Sequence, residues 1–513
     1  VTSAGLASAT GLVAKAGAPG RSMLMSLGDR SNRATTLSML GVVAQPQHAD
    51  VETQLKQDTI DVVKALRQRS DVEYAALNYL RQPLLEPDDT YYGLQWHYRK
   101  INLPLAWERT TGNTGVVVAV LDSGVLNHPD LQASLVQGYD FISGTDNAVD
   151  GDGIDNDPTD PGDTDGITPS SYHGTHVAGT VAAVSDNNSG VAGVAWNVKV
   201  MPLRVCGLLG CSDYDIQQAL LYAAGLPNDS GAVPAQIADV VNLSLGAPTS
   251  STVAPPAFVA ARNAGVIVVA ASGNESSSEL FAPAAYNGVV SVSAVDYAGD
   301  LAFYSNRGNT IDVAAPGGDV SANLNGGTYP DGILSTVGSD QSGVLELGYG
   351  FYQGTSMAAP HVAGVVALMK SVKPDMTPDE FDQWLRNGDL TEDIGAAGRD
   401  DFYGYGLIDA AKAVAAASDL PIISPPMQQE PLILVSVNGL KFTSAVNELS
   451  FEIFNGGQDD LIISDPITDD SGGWLTITPV NVDANGVGTY VAAVDRSQLP
   501  GLATAGAVTT IQA

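Results

Sequence analysis

Between Ile101 and Ala417 the chain alternates short, continuously apolar runs with stretches of helical spacing. The runs are Val116–Leu121, Val198–Val205, Ala238–Leu243, Val266–Ala270, Val289–Val295 and Ile311–Ala314. Gly174–Val184, Asp213–Ala224, Pro255–Asn263 and Ser356–Lys370 read as helices between them. A strand that is apolar at every position must be covered on both faces. The alternation therefore predicts a three-layer α/β unit with a mostly parallel central sheet. In such sheets ligands bind beyond the carboxyl ends of the strands.

The flanks read differently. Residues 1–50 are rich in Ala, Gly and Ser and show weak periodicity. Val51–Lys56 alternates as a strand does. Thr59–Arg67 then sets Ile60, Val62, Val63 and Leu66 at helical spacing behind a Thr59 cap, and Val72–Leu77 reads as a second strand. Pro421, Pro425, Pro426 and Pro431 mark a linker. Beyond it, Leu432–Val437, Glu448–Phe454, Leu461–Ile463, Trp474–Ile477 and Gly488–Val494 predict an all-β, Ig-like sandwich, with a last strand or two expected past Ala513. The expected division is a small α+β unit at 1–85, the α/β unit at 86–417, a linker at 418–431 and the β-domain at 432–513.

A length of 513 residues fits two or three cores better than one. The net charge of −34 repels nucleic acid and anionic membranes, so neither is an expected partner. It suits solubility outside the cell or the binding of hard cations. No apolar run reaches the roughly 18–20 residues that span a bilayer. The two cysteines, Cys206 and Cys211, can close a small disulfide loop or remain free thiols, and an extracellular location favours the disulfide.

Three segments carry chemistry. Asp122 ends the apolar run Val117–Leu121; taken alone, it could simply cap the next turn. His173 opens the small-sided helix His173-Gly174-Thr175-His176-Val177-Ala178-Gly179, where the His-x-x-His spacing also admits a metal pair. Ser356 follows the Gly354-Thr355 turn at the start of a long helix, where a plain N-cap serine is the ordinary alternative. Together they change the reading. A serine hydroxyl needs a base to take its proton, and the base needs a partner to hold its tautomer. Asp, His and Ser occur in that chain order, which differs from the orders of chymotrypsin-like enzymes and α/β-hydrolases.

These segments closely resemble those of the subtilisin family, the subtilases. The resemblance implies that Asp122 orients, His173 is the general base and Ser356 the nucleophile, with His176 structural. It implies that Asn274, in Ala270-Ala271-Ser272-Gly273-Asn274, supplies an oxyanion donor beside the Ser356 N–H. Ser244, Leu245 and Gly246 resemble the strand that pairs with extended substrate, and Ser272, Gly273 and Thr355 line the same cleft. The family often has Gly where Ala247 stands. The 51–80 segment resembles the second half of the family's inhibitory propeptide, with maturation cleavage expected between about Tyr79 and Pro87.

Ca²⁺ is the implied cofactor. Asp89, Asp130, Val184, Asn187, Ser189 and Val191 resemble the parts of the family's tight calcium site. A second candidate is the acidic loop holding Asp150, Asp152, Asp155, Asp157, Asp160 and Asp163, where alternating carboxylates could surround one ion. It lacks the closing Glu of an EF-hand, and a solvated acidic loop is its alternative. The expectation is a secreted, monomeric serine endopeptidase acting on proteins and held by its own propeptide. A catalytically silent subtilase fold serving as a binding module, and an esterase, are the rivals.

Overall fold

Each apolar run forms a strand in the structure, a computed structural model. It describes residues 10, 12–17, 23–27, 30–42, 51–69, 72 and 75, then 85–164 and 168–418. Toward the C-terminus it describes 433–435, 442, 447–455, 463, 467–469, 474–483, 485–498 and 508–510. The chain divides into two units, Val1–Pro83 and Leu84–Ala513.

In the first unit β1 (Val13–Gly17) pairs antiparallel with β2 (Met23–Ser26), followed by α1 (Arg30–Met39) and α2 (Val51–Arg67). Leu12, Leu27, Val62, Leu66 and Ala75 form its core. This corrects the reading of Val51–Lys56 as a strand: those residues open α2, and Thr59 lies inside the helix instead of capping it. Val51 and Leu55 also stand at helical spacing from Val62 and Leu66, and six residues of alternation cannot outweigh a helix that continues to Arg67. Most of the strand expected at 72–77, the linker at 419–431 and most of the expected processing window lie outside the described residues.

In the second unit the apolar runs become β3 (Val117–Asp122), β4 (Lys199–Arg204), β5 (Val240–Leu243), β6 (Ile267–Ala271), β7 (Val289–Val295) and β8 (Val313–Pro316). They lie in the order β8-β7-β6-β5-β3-β4 within a nine-stranded sheet that is parallel except at the Thr391–Glu392 edge. Both faces are covered, as the unbroken apolar runs require. Val118 and Val120 of β3 join the core that includes α3 (His173–Ala182), while Val117, Ala119 and Leu121 join the core under α4 (Asp213–Ala223) and α5 (Pro256–Asn263). After β3 the chain adds β4 on one side and β5 on the other. Asp122 therefore ends the strand at which the winding reverses, where crevices form in open α/β sheets.

The hairpin of β9 (Ile333–Ser339) and β10 (Glu346–Tyr352) leads into α6 (Thr355–Val372), whose residues Met357–Met369 are fully buried or nearly so. Cys206 and Cys211 form a disulfide across the two-residue ladder Cys206–Gly207 and Gly210–Cys211. The C-terminal region is strand-rich: β11 (Ile433–Val435), β12 (Glu448–Asn455), β13 (Leu475–Val482) and β14 (Gly488–Val494) form an antiparallel sheet in the order β11-β12-β14-β13. Ile467–Asp469 pairs separately with Val508–Thr510. Of the strand expected at 461–463 only Ile463 is described. Among the described residues no helix is long and apolar enough to cross a membrane.

Candidate active site

Asp122 and His173 are delivered by two element ends that meet. Gly174 permits the approach, because a Cβ there would stand 2.2 Å from the Gly124 carbonyl oxygen. His173 Nδ1 lies 2.8 Å from Asp122 Oδ1, which also accepts from the Ser123 N–H at 2.8 Å. Asp122 is buried and His173 half-buried. Burial lowers the His173 pKa. The adjacent Asp122 charge and hydrogen bond, with Asp163 and Asp160 further off, raise it, and the net value lies above that of an ordinary imidazole. The proton shared with Asp122 holds Nδ1, leaving Nε2 as the basic nitrogen.

Ser356 sits in the first turn of α6, where N–H groups have no intrahelical acceptor. Pro360, four residues on, has no N–H to offer the Ser356 carbonyl. The Ser244 hydroxyl takes that place, donating to Ser356 O at 2.7 Å, and itself accepts from Asn242 Nδ2 at 3.0 Å. The Ser356 hydroxyl donates to the Ser244 carbonyl at 3.2 Å, so its bond in this structure runs to β5's end and not to His173. Catalytic hydrogen bonds are commonly unformed before substrate binds.

Asn274 is aimed by its carbonyl end. Its Oδ1 accepts from the Thr355 N–H at 2.8 Å and the Thr355 hydroxyl at 3.0 Å, so its NH₂ faces the other way. That hydroxyl accepts from the Gly273 N–H at 3.1 Å. Asn274 Nδ2, Asn274 Oδ1 and the Ser356 nitrogen each lie 3.6 Å from the point where a Cβ on Gly354 would stand, so the Asn274 amide and the Ser356 N–H border one small space. Ser272 and Thr355 are buried, and Gly246 lies where a Cβ would meet the Ala282 carbonyl oxygen at 2.4 Å. Leu245 is half-buried and Gly246–Pro248 exposed beyond the end of β5.

Two supporting residues have no individual role in the sequence reading. Asn242 heads the segment Asn242–Gly246 that resembles the substrate strand, and it interrupts an otherwise apolar strand. Asn306, which accepts from Glu275 N and Ser277 N and donates to the Ser272 carbonyl, carries no local signature. The other active-site histidine, His176, is buried, stacks on Tyr352 and places Nε2 3.0 Å from both the Ile333 and Gly350 carbonyls, which is a structural role.

The first set of calcium candidates comes together. Asp89 is fully buried; its Oδ2 accepts from the Asp186 N–H at 2.7 Å while its Oδ1 has no hydrogen-bond partner. Burial, with Asp130 nearby, pushes its pKa to about 7. Asp130 accepts from Asn187 Nδ2 at 3.1 Å and the Val191 N–H at 3.0 Å, and Asn187 Nδ2 also donates to the Val184 carbonyl at 3.0 Å. Two buried carboxylates, one with an orphaned oxygen, beside carbonyls and an amide, fit a hard cation. The acidic loop does not gather in this way. Asp150 joins Asp140 in pairing with the buried Arg204. Asp160 accepts from the Ser123 hydroxyl, and Asp163 from the Ser171 N–H and hydroxyl. Asp155 and Asp157 accept from backbone two residues on, and the exposed Asp152 lies beside the Asp155 and Asp150 carboxylates, whose charges raise its pKa. Among the described residues no three His, Cys, Asp or Glu side chains converge on one metal position.

A parallel sheet covered on both faces carries an Asp–His pair and a helix-opening serine at its carboxyl edge, which places the molecule in the α/β class. Within that class the chain belongs to the subtilase family, whose model matches residues 113–406. It is 40% identical over 385 residues to an extracellular protease of Xanthomonas campestris pv. campestris, covering 72% of this chain and 62% of that protein. It is 36% identical over 405 residues to an extracellular basic protease of Dichelobacter nodosus (73% and 62%), and 39% over 346 residues to a thermophilic serine proteinase of a Bacillus species (66% and 74%). The chain thus spans less than two thirds of the first two relatives. Among solved structures, a protease of Pseudoalteromonas arctica superposes with a TM-score of 0.59 at 46% identity, over 65% of this chain and 99% of that one.

Proposed function

We propose that the chain is a secreted serine endopeptidase that cleaves proteins through an acyl-enzyme. The observation that carries this is the 2.8 Å His173–Asp122 contact, set at the same sheet edge as a serine that opens a buried helix. Ser356 Oγ attacks the scissile carbonyl carbon while its proton passes to His173 Nε2. Asp122 stabilises the imidazolium, and the Asn274 NH₂ and Ser356 N–H receive the oxyanion. Collapse expels the amine, which takes the proton back from His173. Water then repeats the sequence on the ester. Substrate would lie extended along Ser244–Gly246, pairing through its backbone.

The first unit, residues 1–83, is read as a propeptide that inhibits until it is removed. A Ca²⁺ ion would be held by Asp89, Asp130, Val184, Asn187, Ser189 and Val191, where it would neutralise buried carboxylates and pin loops; no bond-making step involves it. The protein is read as a monomer. Casein hydrolysis and labelling by a serine-directed reagent test the assignment: both are expected in the wild type and neither in Ser356→Ala. A Ser356→Ala variant that still cleaves casein would overturn it.

A further inference from the structure

The residue after the triad aspartate occupies an unusual position. Ser123 is buried, and its N–H and hydroxyl are committed to three different parts of the site. Its N–H donates to Asp122 Oδ1, the oxygen that also holds His173. Its Oγ accepts from the Gly174 N–H at 3.0 Å, in the first turn of α3. Its hydroxyl proton goes to Asp160 Oδ2 at 2.6 Å. The residue at the cap position of α3, Tyr172, has a left-handed backbone (φ 46°) and makes no capping bond. Ser123, fifty residues earlier in the chain, does that work from outside the helix.

Asp160 decides whether Ser123 can do so. A hydroxyl has one proton and can turn it anywhere, and only when the proton is directed away do its lone pairs face the helix N–H groups. Asp160 is buried, and its other oxygen accepts from the Gly162 N–H at 2.9 Å. The backbone holds it in place: Val125 N–H donates to the Pro158 carbonyl at 3.0 Å and Asp160 N–H to the Val125 carbonyl at 3.2 Å. Gly124 has φ +98°, and a Cβ there would stand 2.6 Å from the Pro158 carbonyl oxygen. The end of the acidic loop is therefore laid directly along the residues that follow Asp122.

We propose that Asp160, acting through the Ser123 hydroxyl, is a positioning residue for His173: it fixes the hydroxyl so that Ser123, whose backbone N–H already holds the Asp122 carboxylate, also caps the first turn of α3 beside His173. This rests on the triad reading above. It also gives the acidic loop a use that needs no cation. The charged and titratable groups facing His173 are Asp122, Asp163, Asp160 and His176, and Arg204 faces Asp160 in turn.

The test uses enzyme purified from the full chain, with kcat and KM measured across pH for Asp160→Asn, Ser123→Ala and Ser123→Thr. Asp160→Asn and Ser123→Ala are expected to lose roughly tenfold in kcat with KM within about twofold, since misplacing a base costs the chemical step more than binding. Asp160→Asn also removes a negative charge, so the acid limb of kcat/KM moves to lower pH. Ser123→Thr, which keeps the hydroxyl, retains most of the rate. If Asp160→Asn does not fold, the Ser123→Ala and Ser123→Thr pair decides. Wild-type kcat and pH profile in folded variants, or a loss confined to thermal stability, would overturn the proposal. Casein activity surviving in Ser356→Ala would instead strike the underlying triad reading, so the two failures are distinguishable.

Discussion

At the scale of single residues, Asn274 is the sharpest case of a side chain aimed by its neighbours. Thr355 takes the amide oxygen with two donors, which sets the orientation of the amide. Asn274→Ala is expected to lower kcat by about 10²–10³ with little change in KM, a magnitude that comes from a subtilisin and not from this chain. Equal losses in binding and turnover would contradict the assignment. The Asp122–His173 contact and the placement of Ser356 and Asn274 near it were legible because each sits at a strand or helix end within a long distinctive segment. Asn306 was not legible, since it acts across thirty residues on backbone groups that any sequence presents. The Ser123–Asp160 contact was hidden for the same reason, and the acidic loop was read for its charge when its geometry mattered more.

At the scale of elements, the sheet could be read from the chain because burial on both faces leaves each strand uniformly apolar. The N-terminal hairpin could not: three of the five residues in Val13–Gly17 are Ala or Gly, and small residues carry little periodic signal. Helix α6 has its own prediction. His361, fully buried on it, bonds the Met357 carbonyl through Nδ1 at 2.7 Å and His97 through Nε2 at 2.7 Å. Burial lowers its pKa from 6.5 to about 4, and burial with the neighbouring His361 lowers that of His97. The unfolded chain therefore takes up protons near pH 6.5 that the folded one refuses. Stability is full above that value and falls as pH drops toward 4, by up to about 3 kcal/mol for His361. Buried Asp89, Asp140 and Asp312, pushed to about 7 by desolvation, act in the opposite sense. Comparison with His361→Gln isolates the histidine: thermal midpoints between pH 7 and 4 should fall less steeply in the variant. Parallel curves would contradict this.

At the scale of the molecule, the loop at residues 184–191 joins the Asp88–Tyr91 segment to the turn after α3, so an ion proposed there would tie remote parts together. Tyr91 N–H reaches the Gly190 carbonyl at 2.8 Å and Asp186 N–H reaches Asp89. Free Ca²⁺ at about 100 times its Kd would add about 2.7 kcal/mol of stability. Chelation should lower the melting midpoint of the wild type and much less that of Asp89→Asn; equal shifts would move the ion elsewhere. Glu452 of β12 accepts from the Thr328 N–H through both oxygens, at 2.9 and 3.0 Å, a contact between the strand-rich region and the α/β part that no local pattern announces.

Ser356 is proposed as the nucleophile of a self-maturing protease. Intact mass after incubation with Ca²⁺, wild type beside Ser356→Ala with casein hydrolysis followed on both, tests it most directly. The wild type alone is expected to lose about its first 80–90 residues and gain activity, as propeptide removal by its own Ser356 requires. A folded, calcium-loaded wild type that stays intact, leaves casein uncut and ignores a serine-directed reagent would contradict it.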